Sequence, residues 1–254
     1  MELIPVFILG AVAGSFLNVC IHRLPRRESV IAPGSRCTSC VKPIPWHDNI
    51  PVLSYILLKG KCRFCGTRIS LRYPIVELLS ALVAGALYLT FGPTPAFFAY
   101  AVMAGCLIVA TFVDLAIQEI PDEVSVGGFA AGLVIMAIFP QVSGAGSHMD
   151  GFLYSLAGAA TGAGSIYMMG FFGELVFKKE AMGGGDVKLM AMIGSFIGWK
   201  LALFTFFVAP LFGAVVGIAL KIKDGREIIP YGPYLSLAAA IAVFWGKRVL
   251  GLLF

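Results

Sequence analysis

Apolar positions in this chain run in long unbroken blocks and do not alternate with polar ones. The blocks fall near 3–22, 74–91, 96–117, 124–140, 151–177, 201–220 and 231–252, with a shorter one at 187–199 weakened by Gly194 and Gly198. A helix that crosses a bilayer needs about 20 such residues. The blocks therefore predict an all-α, polytopic membrane helix bundle of about eight spans. One sizeable polar stretch interrupts them. It divides the chain into a first transmembrane span over 1–22, a polar module over 23–72 and a membrane-embedded bundle over 73–254.

Composition supports the membrane reading. The chain is 59% hydrophobic and 13% charged, whereas a soluble domain is nearer half apolar and a quarter charged. The lipid bilayer is thus an expected partner. Met1-Glu2 ahead of the first block is not basic, and no small-residue cleavage site follows that block. The block reads as a retained first span with its N-terminus outside. Residues 23–72 hold ten Lys/Arg and two acids. Alternating spans then place these, with Lys178, Lys179, Lys188, Lys221, Lys223 and Arg226, inside, and Lys200, Lys247 and Arg248 outside. A split of 16 against 3 follows the excess of basic residues on the cytoplasmic side. The net charge of +5 is a topology signal, and no nucleic-acid partner is expected.

The polar module carries Cys37-Thr38-Ser39-Cys40 and Cys62-Arg63-Phe64-Cys65, two C-x2-C pairs separated by 21 residues. Two such knuckles can present four thiolates tetrahedrally to one zinc ion. A module of this size with few aliphatics needs a staple of that kind. Two disulfides or a redox pair are the alternatives, and a cytoplasmic location disfavours them. Cys37, Cys40, Cys62 and Cys65 are the candidate ligands of a structural Zn2+. Cys20 and Cys106 lie inside spans and read as small apolar residues.

Two acids stand out against the apolar background. Asp114 ends the third block, and Asp186 follows Gly183-Gly184-Gly185 at the start of the sixth. A carboxylate at membrane depth costs about 2.5–3.5 kcal/mol on insertion scales and so calls for a function. Two close carboxylates share a proton and can divide general-base and general-acid roles. The glycines let backbone approach without a Cβ and permit positive φ. Plainer readings remain open: Asp186 as an N-cap, Asp114 paired with Lys188, or both acids in a proton or cation pathway. Glu119, Asp122 and Glu123 read as solvated or capping residues. Glu77 either pairs with Arg72 or Arg68 or belongs to a second site. Glu174 and Lys178 have i, i+4 spacing for an ordinary pair. Gly158, Gly162 and Gly164 suit helix packing.

Several motifs in order complete the picture. They are Gly14-Ser15-Phe16-Leu17-Asn18-Val19 with Arg23-Leu24-Pro25, the run from Trp46 to Tyr55, and the run from Arg68 to Leu79. Asp114 through Pro121-Asp122 and Gly183 through Leu189 follow. On these residues the chain resembles the bacterial type IV prepilin peptidases, of the GxGD aspartic protease family. The resemblance implies an inner-membrane enzyme whose active site faces the cytoplasm. It implies removal of the basic leader from type IV prepilins or pseudopilins, with Asp114 and Asp186 as the catalytic pair. It also implies N-methylation of the new N-terminal residue from S-adenosylmethionine. Members often carry a second acid two residues after the first catalytic one, and here that position is Ala116. No Gly-x-Gly-x-x-Gly loop marks a methyl-donor site. The basic module with Asn18, Glu77 and Trp46–Asn49 is the candidate region.

Overall fold

The computed structural model describes residues 2–178, 182–224, 230–246, 248, 249 and 251. Lys179, Arg226 and Lys247, used in the charge argument, lie outside them. The chain separates into two compact units, Met1–Pro93 and Thr94–Phe254. No strand occurs among the described residues.

In the first unit α1 (Leu3–Arg23) packs along α3 (Arg72–Phe91). Small residues set their approach, as is usual where helices meet in lipid. A Cβ on Gly10 would lie 2.8 Å from the Ala81 Cα, and one on Gly14 would lie 2.8 Å from the Glu77 Cα. Gly85 makes room for the Phe7 ring. Between the helices sit the cysteine module and the short helix α2 (Leu53–Leu57). Arg23 is buried at the end of α1 and orders the following loop by donating to Ser29 O (2.9 Å) and Gly34 O (3.1 Å).

The module is built twice from one local pattern. An antiparallel bridge joins Arg36 to Pro43, and another joins Lys61 to Arg68. Cys37 N–H donates to Lys42 O as Cys62 N–H donates to Thr67 O. Val41 N–H closes on Cys37 O as Gly66 N–H closes on Cys62 O. Both closing residues have positive φ, 59° at Val41 and 71° at Gly66.

The second unit contains α4 (Pro95–Ile117), α5 (Asp122–Ile138), α6 (His148–Phe177), α7 (Gly184–Asp224) and α8 (Gly232–Ile241), the last continued by a π turn over Ala242–Gly246. Pro95 and Pro233 occupy first-turn positions of α4 and α8, where a missing N–H costs nothing. Gln118 ends α4 in the left-handed region and returns its N–H to Asp114 O (2.9 Å). Glycines let α6 lie against α7: a Cβ on Gly158 would overlap the Gly194 carbonyl, and one on Gly162 that of Met190. Gly164 faces open space, so the expected packing role holds at the first two glycines only. Phe196, Ile193, Met192, Met190 and Leu189 of α7 are fully buried and form the centre of the unit.

The expected blocks 187–199 and 201–220 are two segments of α7, interrupted at Gly198 (φ 73°, ψ 174°). The break leaves the Ile197 carbonyl without its helical partner, and the Tyr154 hydroxyl supplies one at 2.7 Å. Among the described residues four helices are long and apolar enough to cross a membrane: Leu3–Arg26, Arg72–Phe91, Pro95–Ile117 and Gly184–Ala219. The count of about eight is not carried by them. α5 has 17 residues, and Gly, Ser and Thr dilute the apolar character of α6. Lys178 does not pair with Glu174: it caps α6 in the left-handed region, its N–H on Glu174 O at 2.8 Å.

Candidate functional site

The four cysteine Sγ atoms all lie within 4.8 Å of one another. None of the four is joined in a disulfide. Cys37 Sγ and Cys65 Sγ are 3.8 Å apart. A tetrahedron with metal–sulfur bonds of about 2.3 Å has edges of about 3.8 Å, so the cluster is sized for zinc. The knuckle backbones point N–H groups at the sulfurs. The Thr67 hydroxyl, then its N–H, draws the Cys65 thiol down to about 6. At Cys40 the Lys42 N–H lowers the value, but desolvation and the thiols of Cys37, Cys65 and Cys62 raise it to about 11. Cys37 is also drawn down, chiefly by the Cys40 N–H. A bound cation would favour the thiolate at every one of these crowded sulfurs. Beside the cluster Arg63 clamps Asp48 through two bonds of 2.6 Å and holds its carboxyl below the ordinary range.

In the second unit the two expected acids come to one corner. Asp114 occupies the last turn of α4, buried to 5% exposure. Its Oδ2 accepts the N–H of Gly232 at 2.8 Å. Asp186 lies in the first turn of α7, and its N–H donates to Gly183 O at 3.1 Å. The segments carrying them touch, since a Cβ on Gly185 would sit 3.3 Å from the Ile120 Cβ. The Asp114 charge acts on Asp186, and the Asp186 charge acts on Tyr231. Lys188 Nζ reaches Asp122 Oδ1 at 2.6 Å and ties the start of α7 to the start of α5. The alternative pairing of Lys188 with Asp114 is therefore not formed, and Asp122 is ion-paired.

Two details of the glycine run differ from expectation. None of Gly183, Gly184 and Gly185 has positive φ, because α7 already begins at Gly184. Asp186 is thus inside the first turn and is not the helix cap. Close approach applies at Gly185 alone, against Ile120.

Tyr231 and Gly232 are members of this corner that the sequence reading passed over. Gly232 opens α8 and must lack a Cβ, which would lie 2.8 Å from Asp114 Oδ2. The Tyr231 hydroxyl is buried with no hydrogen-bond partner among the described residues. The sequence signal available was Pro230-Tyr231-Gly232-Pro233, a helix-start pattern ahead of an apolar run. Replacement Gly232→Ala is expected to push the Asp114 carboxylate aside. A displacement of about 1 Å at a reacting group can cost about 100-fold. The loss should appear in kcat for the peptide cleavage that the resemblance implies, with KM and protein level near wild type.

Glu77 was expected either to pair with Arg72 or Arg68 or to serve a second site. It makes no ion pair among the described residues. Its Oε2 accepts the Val52 N–H at 2.7 Å.

The described residues thus combine a helical, apolar chain, two acids from separate helices and a four-cysteine cluster that could hold a metal ion. Residues 8–91 match the bacterial Peptidase A24 N-terminal domain, and residues 101–218 match the type IV leader peptidase family. The chain belongs to the type IV leader peptidase family. It is 41% identical over 221 residues to a prepilin leader peptidase/N-methyltransferase of Myxococcus xanthus, covering 87% of this chain and 64% of that protein. It is 34% identical over 271 residues to the protein of that name in Aeromonas hydrophila, covering 96% and 91%. A Pseudomonas aeruginosa protein of the same name is 34% identical over 269 residues, covering 95% and 90%. No solved structure matches the chain.

Proposed function

We propose that this inner-membrane protein cleaves the leader from type IV prepilins or pseudopilins and N-methylates the residue thereby exposed. The observation that carries the peptidase half is the convergence of a buried Asp114 and a half-buried Asp186 from separate helices. Two neighbouring carboxylates do not both ionise readily, so the pair holds one proton. The ionised member takes a proton from a water molecule as that water attacks the scissile carbonyl. The protonated member hydrogen-bonds the carbonyl oxygen and then gives its proton to the leaving amine. The pair titrates as a unit, so neither role is tied to one residue. Gly232 N–H holds the Asp114 carboxylate in place.

The cysteine cluster supports a structural zinc held by Cys37, Cys40, Cys62 and Cys65. When bound, S-adenosylmethionine supplies the methyl group for the second activity. The 16-to-3 distribution of basic residues supports an N-terminus outside and acids at the cytoplasmic face.

The test uses purified protein in detergent, a prepilin with a basic leader, and S-adenosylmethionine. Mass spectrometry should find the mature chain, cut at the leader junction and heavier by one methyl group. An intact prepilin would refute the peptidase, and an unmethylated mature chain the methyltransferase.

A further inference from the structure

The first unit encloses a cavity of about 910 Å³, within the range of about 300–1,000 Å³ typical of small-molecule sites. Its walls are the end of α1, the start of α3 and the inner side of the cysteine module. Asn18 lines it at 1% exposure. The amide nitrogen of Asn18 is engaged by Tyr73 O (3.0 Å) and Gly14 O (3.4 Å), but Oδ1 has no partner among the described residues. Arg72 Nε, also buried and also lining the cavity, has none either. Buried polar atoms are nearly always satisfied. Here an orphan acceptor and an orphan donor belong to the lining of one space.

The acids of the lining sharpen the picture. Glu28 is taken by Arg36 at 3.6 Å, and Asp48 by Arg63. Glu77 is the lining acid without a cationic partner among the described residues. A ligand for this cavity must therefore bring a cation or donor for Glu77 and Asn18, and an anion or acceptor for Arg72. That is the chemistry of a zwitterionic amino acid.

We infer that this cavity is the methyl-donor site: it binds S-adenosylmethionine by its amino-acid portion, with Glu77 and Asn18 Oδ1 toward the ammonium and Arg72 toward the carboxylate. The inference rests on the methyltransferase reading above and adds to it a location. It also accounts for a buried carboxylate that peptide cleavage does not use.

Calorimetry with S-adenosylhomocysteine, which keeps the amino-acid and adenine groups, tests it directly on the full chain in detergent. Glu77→Gln retains the side-chain shape and an acceptor for Val52. Arg72→Lys retains the charge and removes the Nε donor. Each should weaken binding about tenfold or more, the scale of one charge-assisted hydrogen bond. Zinc content and the thermal midpoint should stay at wild-type values, and if Glu77→Gln fails that control Arg72→Lys alone decides. Wild-type affinity in well-folded variants would overturn the location. A wild-type protein that methylates its product yet binds through neither residue overturns the site and leaves the activity standing. A wild-type protein that neither binds the probe nor methylates overturns both.

Discussion

Asp114→Asn and Asp186→Asn should each remove prepilin cleavage, with initial rates falling by about 10³-fold or more. An amide at either position leaves the corner without its shared proton, so both the activation of water and the protonation of the leaving amine fail together. General acid–base groups contribute about 10²–10⁴-fold each, and groups that act as a unit lose most of their effect with the first deletion. The double variant should therefore be little worse than either single one. Leader removal followed by gel or mass spectrometry measures this, alongside protein yield and elution profile. Asn keeps the acceptor for Gly232 N–H at position 114, so folding should persist. Appreciable cleavage by either single variant would refute the pair.

The second large effect is expected in the cysteine module. Cys37→Ser should release the metal and unfold the segment between α1 and α3. That segment has two isolated bridges, a five-residue helix and two short 3-10 turns for regular structure. Binding of a structural zinc supplies about 10–16 kcal/mol in small metal-folded peptides, far beyond what this segment can recover from its own core. Metal analysis should show one zinc per wild-type chain and almost none in the variant. Limited proteolysis should cut the variant within residues 24–71. Pure wild-type protein that carries no zinc would refute the assignment. Removal of the metal should also weaken donor binding, because Cys37 and Cys62 line the cavity.

The sequence by itself determined the membrane class, because long apolar blocks have no other stable environment. It also exposed the four cysteines that cluster, because each knuckle is a local pattern whose geometry is set within a few residues. Asp114 and Asp186 were legible as charges out of place. The tertiary structure alone decided who meets whom. The bond from Gly232 to Asp114 spans 118 residues and involves a backbone N–H, which leaves no side-chain signature. The partner of Glu77 is likewise the main chain of Val52, so charge pairing pointed toward arginines that it does not use. Lys188 found Asp122, not Asp114, because the helix starts that carry Lys188 and Asp122 abut. The triple glycine suggested a left-handed turn, but α7 begins within it, and only the approach of Ile120 shows that Gly185 is the closely packed one. A composition pattern records the solvent each segment needs; the contacts that make a site arise between segments far apart in the chain.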